Sequence, residues 1–371
     1  MKENWIYKKL GEVCDVKTGK LDANASDENG LYPFFTCSKE PLRINTYSYD
    51  SECILVAGNG DLNVKYYIGK FDAYQRTYII TLKNGITDIY VRYLYCFFLL
   101  YIETLRKKSI GGVIKYIKLG DITEAKVYIP SFSEQSRIVS ELDLLQSIID
   151  KQQAQLKELD TLAQSIFYDM FGDPVENEKG WEVKKLGEIV AEDCPISYGI
   201  VQPGEGVANG VPVVRPVDMT NTFVFRLGLK QTTKEISDSY RRTILKGNEI
   251  LLCVRGTTGL VALASEELVG CNVTRGVAPI ECNEHNDRWF VYYQFLTKGI
   301  QQYIADFTKG IALKQINMKD VREIPFIVPP LPLQQSFAAK IESIEKQKVA
   351  ISQSIEETQK LFDYTMDKYF G

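Results

Sequence analysis

Histidine is the scarcest chemistry-bearing residue of this chain: His285 stands alone among 371 residues. A cluster of histidine metal ligands is therefore impossible within one copy, and a serine–histidine triad would have to be built on His285. That residue sits in Cys282-Asn-Glu-His-Asn-Asp287, a polar stretch that reads as a solvated turn. None of the eight cysteines forms a C-x-x-C pair, which argues against a zinc ribbon. Most have apolar neighbours, as in Ile250-Leu-Leu-Cys253-Val, and read as small buried hydrophobes of a reducing compartment.

Long apolar runs are missing too. The longest candidate, Tyr93 to Ile102, is about half of the roughly 18–20 residues a membrane span needs. The opening Met-Lys-Glu-Asn-Trp carries no apolar leader, so the expected location is the cytoplasm, with no membrane partner. An excess of positive charge is also lacking, since the net charge is −4. Any nucleic-acid contact must then come from local basic loops, not from a global field.

The usual catalytic signatures do not appear. Gly58-Asn-Gly-Asp61 lacks the spacing of a phosphate-binding P-loop, and Gly204-Glu-Gly206 is a lone G-x-G of a flexible turn. No Asn/Asp-Pro-Pro-aromatic motif of an amino-methyltransferase is present. Glu182-Val-Lys184 resembles the end of a nuclease acid-x-Lys motif, but its repeat counterpart, Ile6-Tyr7-Lys8, has no acid. The expectation is a non-catalytic chain that binds no metal or cofactor.

What is there is a tandem repeat. Trp5-Ile-Tyr-Lys-Lys-Leu-Gly-Glu-Val13 returns 176 residues later as Trp181-Glu-Val-Lys-Lys-Leu-Gly-Glu-Ile189. Further on the offset becomes 199: Gly111 matches Gly310, Lys115 matches Lys314, Ile117 matches Ile316, Asp121 matches Asp320 and Gln135 matches Gln334. Ile129-Pro130 likewise matches Val328-Pro329, and the halves close on Phe171-Gly172 and Phe370-Gly371. Residues 14–110 and 190–309, which lie between the blocks, look unrelated. A shared frame with two divergent inserts suits two readers of two different things.

Each half ends in a heptad pattern. The first seam is Ile138, Leu142, Leu145, Ile149, Gln152, Leu156, Leu159, Ala163, Ile166 and Met170, with Ser133 as the expected N-cap. The second, more polar, runs Phe337, Ile341, Ile344, Lys348, Ile351, Ile355, Thr358, Phe362, Thr365 and Tyr369. At about 38 residues each helix is roughly 55 Å long, and a lone helix would leave its apolar stripe in water. The economical solution is that the two copies pack on each other. An antiparallel pair places the globular parts at opposite ends, although sequence alone leaves the polarity open.

The globular parts read as mixed. Strands are expected at 52–57 and 74–82 in the first copy and at 249–254 and 260–264 in the second. Buried helices are expected at 89–106 and 287–307. The fold class is thus α+β, a pseudo-two-fold repeat. Its segments are a globular domain at 1–133, a helix at 134–172, a second globular domain at 173–332 and a second helix at 333–371.

The Trp-x-x-Lys-Lys-Leu-Gly-Glu block, the Gly-x-x-x-Lys-x-Ile…Ile-Pro…Gln run, the heptad helix and the closing aromatic-Gly, in tandem, resemble the DNA-specificity subunits of type I restriction–modification systems. In the second copy Leu333-Gln-Gln335 departs from the family's Pro-x-x-Glu-Gln run by losing the acid. The resemblance implies that each globular part is a target-recognition domain reading one half of a split double-stranded DNA site. It implies helices that act as a coiled-coil spacer and a dock for two methyltransferase subunits. Those partners would hold S-adenosylmethionine and methylate adenine, and a motor-nuclease restriction subunit would complete the complex.

Base edges are read by bidentate donors and amides on loops between rigid elements. The first copy offers Lys17 and Lys20 around a glycine, then Asn59, Asn63, Lys65 and Tyr66 in a polar turn, and then Gln75 and Arg76. The second offers Tyr198, Gln202, Arg215, Arg255, Thr257, Thr258, Asn272 and Arg275. Lys115 and Lys314 recur in both halves, and a recurring cation suits sequence-blind phosphate contact. The rival readings are a coiled-coil adaptor whose two globular domains bind protein, favoured by the acidic balance, and an enzyme using a carboxylate pair. No repeated pair of carboxylates lies near a glycine loop to favour the latter.

Overall fold

The computed structural model describes residues 6–194, 196–310 and 313–371; Trp5 lies outside them. The chain divides into two compact units: the first is Met1–Gln153 with Ser352–Gly371, and the second is Ala154–Ile351.

In the first unit a six-stranded sheet has the order Cys14–Thr18, Thr77–Leu82, Tyr49–Ala57, Val64–Ala73, Tyr32–Phe35, Leu42–Ile44. Strand Tyr49–Ala57 lies inside the sheet and is covered on both faces, which explains its unbroken run Cys53-Ile-Leu-Val-Ala57. Ile54 and Val56 face helix Val91–Lys108, while Cys53 and Leu55 pack on Phe35 and Phe71. The short strands Ile6–Lys9 and Lys126–Ile129 pair antiparallel, with Lys9 opposite Lys126.

The second unit repeats that ribbon: Val183–Lys185 pairs with Pro325–Ile327, and Lys185 lies opposite Pro325. The register is the same, because residues 9 and 126 carry the two offsets onto 185 and 325. Its larger sheets differ from the first unit's. One has three strands, in the order Lys230–Thr232, Val211–Val214, Asn272–Val273; the other has four, in the order Phe223–Val224, Val261–Ala264, Ile250–Cys253, Val277–Ile280. The helix expected over 287–307 is two, Arg288–Phe295 and Lys298–Phe307. The break falls at Thr297, whose hydroxyl donates to the Gln294 carbonyl.

The two long helices are Phe132–Phe171 and Leu331–Phe370, of 40 residues each. The first starts one residue ahead of the expected cap: Ser131, not Ser133, accepts from Glu134 N–H at 3.3 Å. Pro332 falls within the first turn of the second helix, where its missing N–H removes no intrahelical bond.

Each unit holds part of both helices, running in opposite directions. In the first unit Arg137 donates to Tyr369 Oη at 2.8 Å and Gln152 Nε2 to Ser354 Oγ at 2.7 Å, so rising numbers on one helix meet falling numbers on the other. In the second, Asp160 pairs with Lys348 at 2.7 Å and the rings of Phe167 and Phe337 lie 5.6 Å apart. Lys348, a cation on the expected seam, is held there by Asp160 and Glu345. The expected seam drifts at its end: Phe167 and Phe171 are buried, whereas Ile166 and Met170 are half-buried. A straight helix turns about 20° per heptad away from a 3.5-residue repeat. The drift brings the two rings onto Phe290, with burial of each phenyl contributing about 1.5–3 kcal/mol.

Candidate nucleic-acid interface

Three segments far apart in sequence meet at one crest in each unit. In the first, the loop leaving strand Tyr49–Ala57 is held from two sides: Gly58 N–H donates to the Arg76 carbonyl at 2.8 Å, and Gly60 N–H to the Lys115 carbonyl at 2.9 Å. Asn59 bridges to Tyr116, which itself exchanges two backbone hydrogen bonds with Ile110, at 2.9 and 3.0 Å. Asn59, Tyr74, Arg76, Ile114 and Tyr116 line a cleft of about 540 Å³.

The second unit builds the same crest. Val254 N–H donates to the Gly276 carbonyl at 2.8 Å and Gly256 N–H to the Lys314 carbonyl at 2.9 Å. Arg255 bridges to Gln315, which pairs with Lys309 at 2.8 and 2.9 Å. Arg255 thus stands where Asn59 stands. Gln75 and Arg275 are a second equivalent pair: Gln75 N–H donates to the Leu21 carbonyl at 2.9 Å, and Arg275 N–H to the Ile200 carbonyl at 2.8 Å.

The repeated glycines make the third segment possible. Gly111 and Gly310 have φ of 120° and 104°. A Cβ on either would lie 2.5 Å from the Ile114 carbonyl oxygen or 2.3 Å from that of Leu313. The loops therefore close tightly, leaving Lys115 and Lys314 exposed and, in the first copy, Val113 fully in solvent.

The other candidates separate by what their side chains already do. Lys17 is exposed on the edge strand Cys14–Thr18, and Lys20, Gln202 and Thr257 are exposed in loops. Thr258 Oγ1 accepts from Thr308 at 3.1 Å. Tyr198 accepts from Gln315 Nε2 at 3.2 Å, and the Arg275 guanidinium lies 5.8 Å over its ring. Asn63 donates to the carbonyls of Cys37 and Asp61 at 2.8 and 2.9 Å and accepts from Lys65. Burial holds the Lys65 ammonium below its ordinary pKa. Both residues brace their own loop.

Three candidates have their polar groups already committed within the protein. Asn272 is fully buried, and its carboxamide is occupied by Thr243, Ser237 and Tyr240. The strand that carries it, Asn272–Val273, is interior to the unit, so the amide is structural. Tyr66 donates to Glu52 at 2.6 Å beneath the Arg92 guanidinium, which sits 4.8 Å over its ring. Arg215 gives both arms of its guanidinium to Asp218, at 2.7 and 3.0 Å.

Several crest residues escape a reading of the sequence. Tyr116 and Gln315 sit one position after the repeated lysines, inside an otherwise matched block, and that mismatch within a matched frame is a usable signal. Tyr74 carries none. Arg241 and Arg242, an adjacent basic pair, line a cleft with Tyr198.

One frame built twice, each copy presenting a crest with its own side chains, defines a duplicated recognition scaffold. The family model for the type I restriction modification DNA specificity domain matches residues 2–161 and again 178–359. The chain belongs to that family and is a type I restriction–modification specificity subunit, the non-catalytic member of such a system. It is 28% identical over 367 residues to the type I restriction enzyme EcoDI specificity subunit of Escherichia coli, covering 92% of this chain and 81% of that protein. It is 24% identical over 311 residues to the MjaIX specificity subunit of Methanocaldococcus jannaschii, covering 77% of this chain and 69% of the other. In fold it is similar to the crystal structure of the type I restriction–modification S subunit from M. genitalium. There the TM-score is 0.61 and the identity 14%, over 99% of this chain and 96% of that one. A chain from a structural study of type I complex assembly and conformational transition gives a TM-score of 0.55 and 19% identity, over 99% and 98% of the two chains.

Proposed function

We propose that each unit reads one half of a split double-stranded DNA site through its crest. The observation that carries this reading is the divergence of side chains on a frame whose backbone hydrogen bonds are repeated: Asn59 against Arg255 and Gln75 against Arg275. Those four residues, with Arg76, Tyr198, Gln202, Thr257 and Thr258, are the proposed loop contacts. Lys20, whose N–H donates to the Ala73 carbonyl at 3.2 Å, lies next to the turn that carries Gln75, and Lys17 precedes it on the edge strand. Lys115 and Lys314, the same in both units, are the proposed phosphate contacts, because a phosphate carries no sequence information.

The two long helices would continue into one antiparallel coiled coil that fixes the distance between the half-sites. The same helices would dock two methyltransferase subunits, which hold S-adenosylmethionine and methylate adenine, and a motor-nuclease subunit would join them. Such a complex would work in the cytoplasm; among the described residues no helix is long and apolar enough to cross a membrane. The test is methylome sequencing of cells carrying the cognate methyltransferase, with and without this chain. Loss of one bipartite methylated motif is expected, and an unchanged methylome overturns the reading.

A further inference from the structure

At two equivalent positions the crests differ in the same chemical direction. At the bridge position the first unit has a carboxamide, Asn59, and the second a guanidinium, Arg255. At the turn that packs against it the first has another carboxamide, Gln75, and the second another guanidinium, Arg275. Among the described residues neither Asn59 nor Arg255 has a side-chain hydrogen bond or ion pair, so the donors and acceptors of these two half-buried side chains are uncommitted. This contrasts with Asn63 and Arg215, whose groups are taken up inside the protein. Arg76 has Gly276 as its counterpart, so no side chain answers it in the second unit and it stands outside this pairing.

A carboxamide sets an N–H donor beside a carbonyl acceptor, so it can donate to N7 and accept from the N6 amino group of adenine in the major groove. A guanidinium has donors only, in a fixed fork, which matches the two acceptors O6 and N7 of guanine. The lysines that do not change, Lys115 and Lys314, supply the sequence-blind part at both crests.

We propose that the position held by Asn59 in one unit and Arg255 in the other is a base-reading position of each. It reads adenine in the half-site of the first unit and guanine in the half-site of the second, with Gln75 and Arg275 as its second contact of the same kind. This rests on the DNA-reading function proposed above.

The experiment exchanges the groups in the full chain assembled with its methyltransferase. Asn59→Arg should change one position of the first half-site from adenine to guanine in methylome sequencing, with the second half-site unaltered. Arg255→Asn should do the reverse in the second. Independently of any variant's folding, 7-deazaguanine at the guanine of the second half-site should weaken binding of the unmodified chain about 10-fold, since one of two acceptors is removed. The same base should cost nothing further in Arg255→Ala. Unchanged half-sites in both exchange variants, or insensitivity to 7-deazaguanine, overturn the assignment while a bipartite motif persists. Absence of any bipartite motif with the unmodified chain overturns instead the function on which it rests.

Discussion

Gln135 accepts a hydrogen bond from Tyr90 N–H at 2.8 Å through Oε1, while its Nε2 donates to the carbonyls of Asp88 and Pro130, both at 2.9 Å. Gln334, its repeat partner, accepts from Asp287 N–H at 2.8 Å and donates to the Pro329 carbonyl at 2.8 Å. Each fully buried amide ties the start of a long helix to the start of the helix packed beside it. Gln135→Leu keeps the volume and strands three backbone groups, so it should destabilise the first unit by about 3 kcal/mol, at 1–3 kcal/mol per orphaned group with partial relaxation. Urea unfolding followed by circular dichroism checks it; an unmoved midpoint means the bonds are dispensable.

Arg255→Ala should weaken specific binding by ~1–3 kcal/mol and relax one base position, as expected when a bidentate reader is truncated. Binding to a set of single-substitution duplexes measures both effects. Retention of full discrimination at every position is the outcome that sinks Arg255 as a reader.

Lys115→Ala should weaken binding to all sequences alike and lower the slope of log K against log salt by about one. Titration between about 50 and 200 mM salt gives the slope directly. An unaltered slope removes Lys115 from the phosphate contacts.

Alkaline pH should loosen the first unit through its thiols. Burial pushes Cys14, Cys53 and Cys96 from 9.0 up to about 12. Above pH 9 the unfolded chain ionises these thiols and the folded one does not. Their contribution is therefore complete below about 9 and fades as pH rises towards 12. The urea midpoint should fall over that window, and less steeply in Cys53→Ala. Identical slopes in the two proteins would assign the alkaline loss to other groups.

Lengthening both long helices by one matched heptad adds roughly 10 Å of helix. The gap between methylated half-sites should lengthen while their sequences stay fixed. A changed half-site sequence contradicts a spacer role for the helices.

The frame was legible because its residues repeat for physical reasons visible in one dimension: Gly111 and Gly310 close a loop, Gln135 and Gln334 tie helices, and the ribbon blocks keep their register. Heptad spacing revealed both long helices but not the last turns of the first, where Phe167 and Phe171 follow the globular core instead of the seam. The crests were half legible. Polar glycine loops marked Asn59 and Arg255, yet nothing along the chain says that residue 60 bonds to 115 or residue 256 to 314. Asn272 and Tyr66 misled because an amide and a phenol look the same in sequence whether their partners are bases or buried protein groups.

The first unit takes its last twenty residues from the far end of the chain, and Met366 and Tyr369 lie in the same core as Leu10 and Leu142. The second unit is one uninterrupted stretch. Synthesis therefore imposes an order in time. The second unit has all its residues before the first can close, although the first begins earlier. The first waits with an open core for a contact more than two hundred residues away, the kind of long loop closure that slows folding. A chain cut short before Ser352 would hold every residue of the second unit and lack the closing piece of the first.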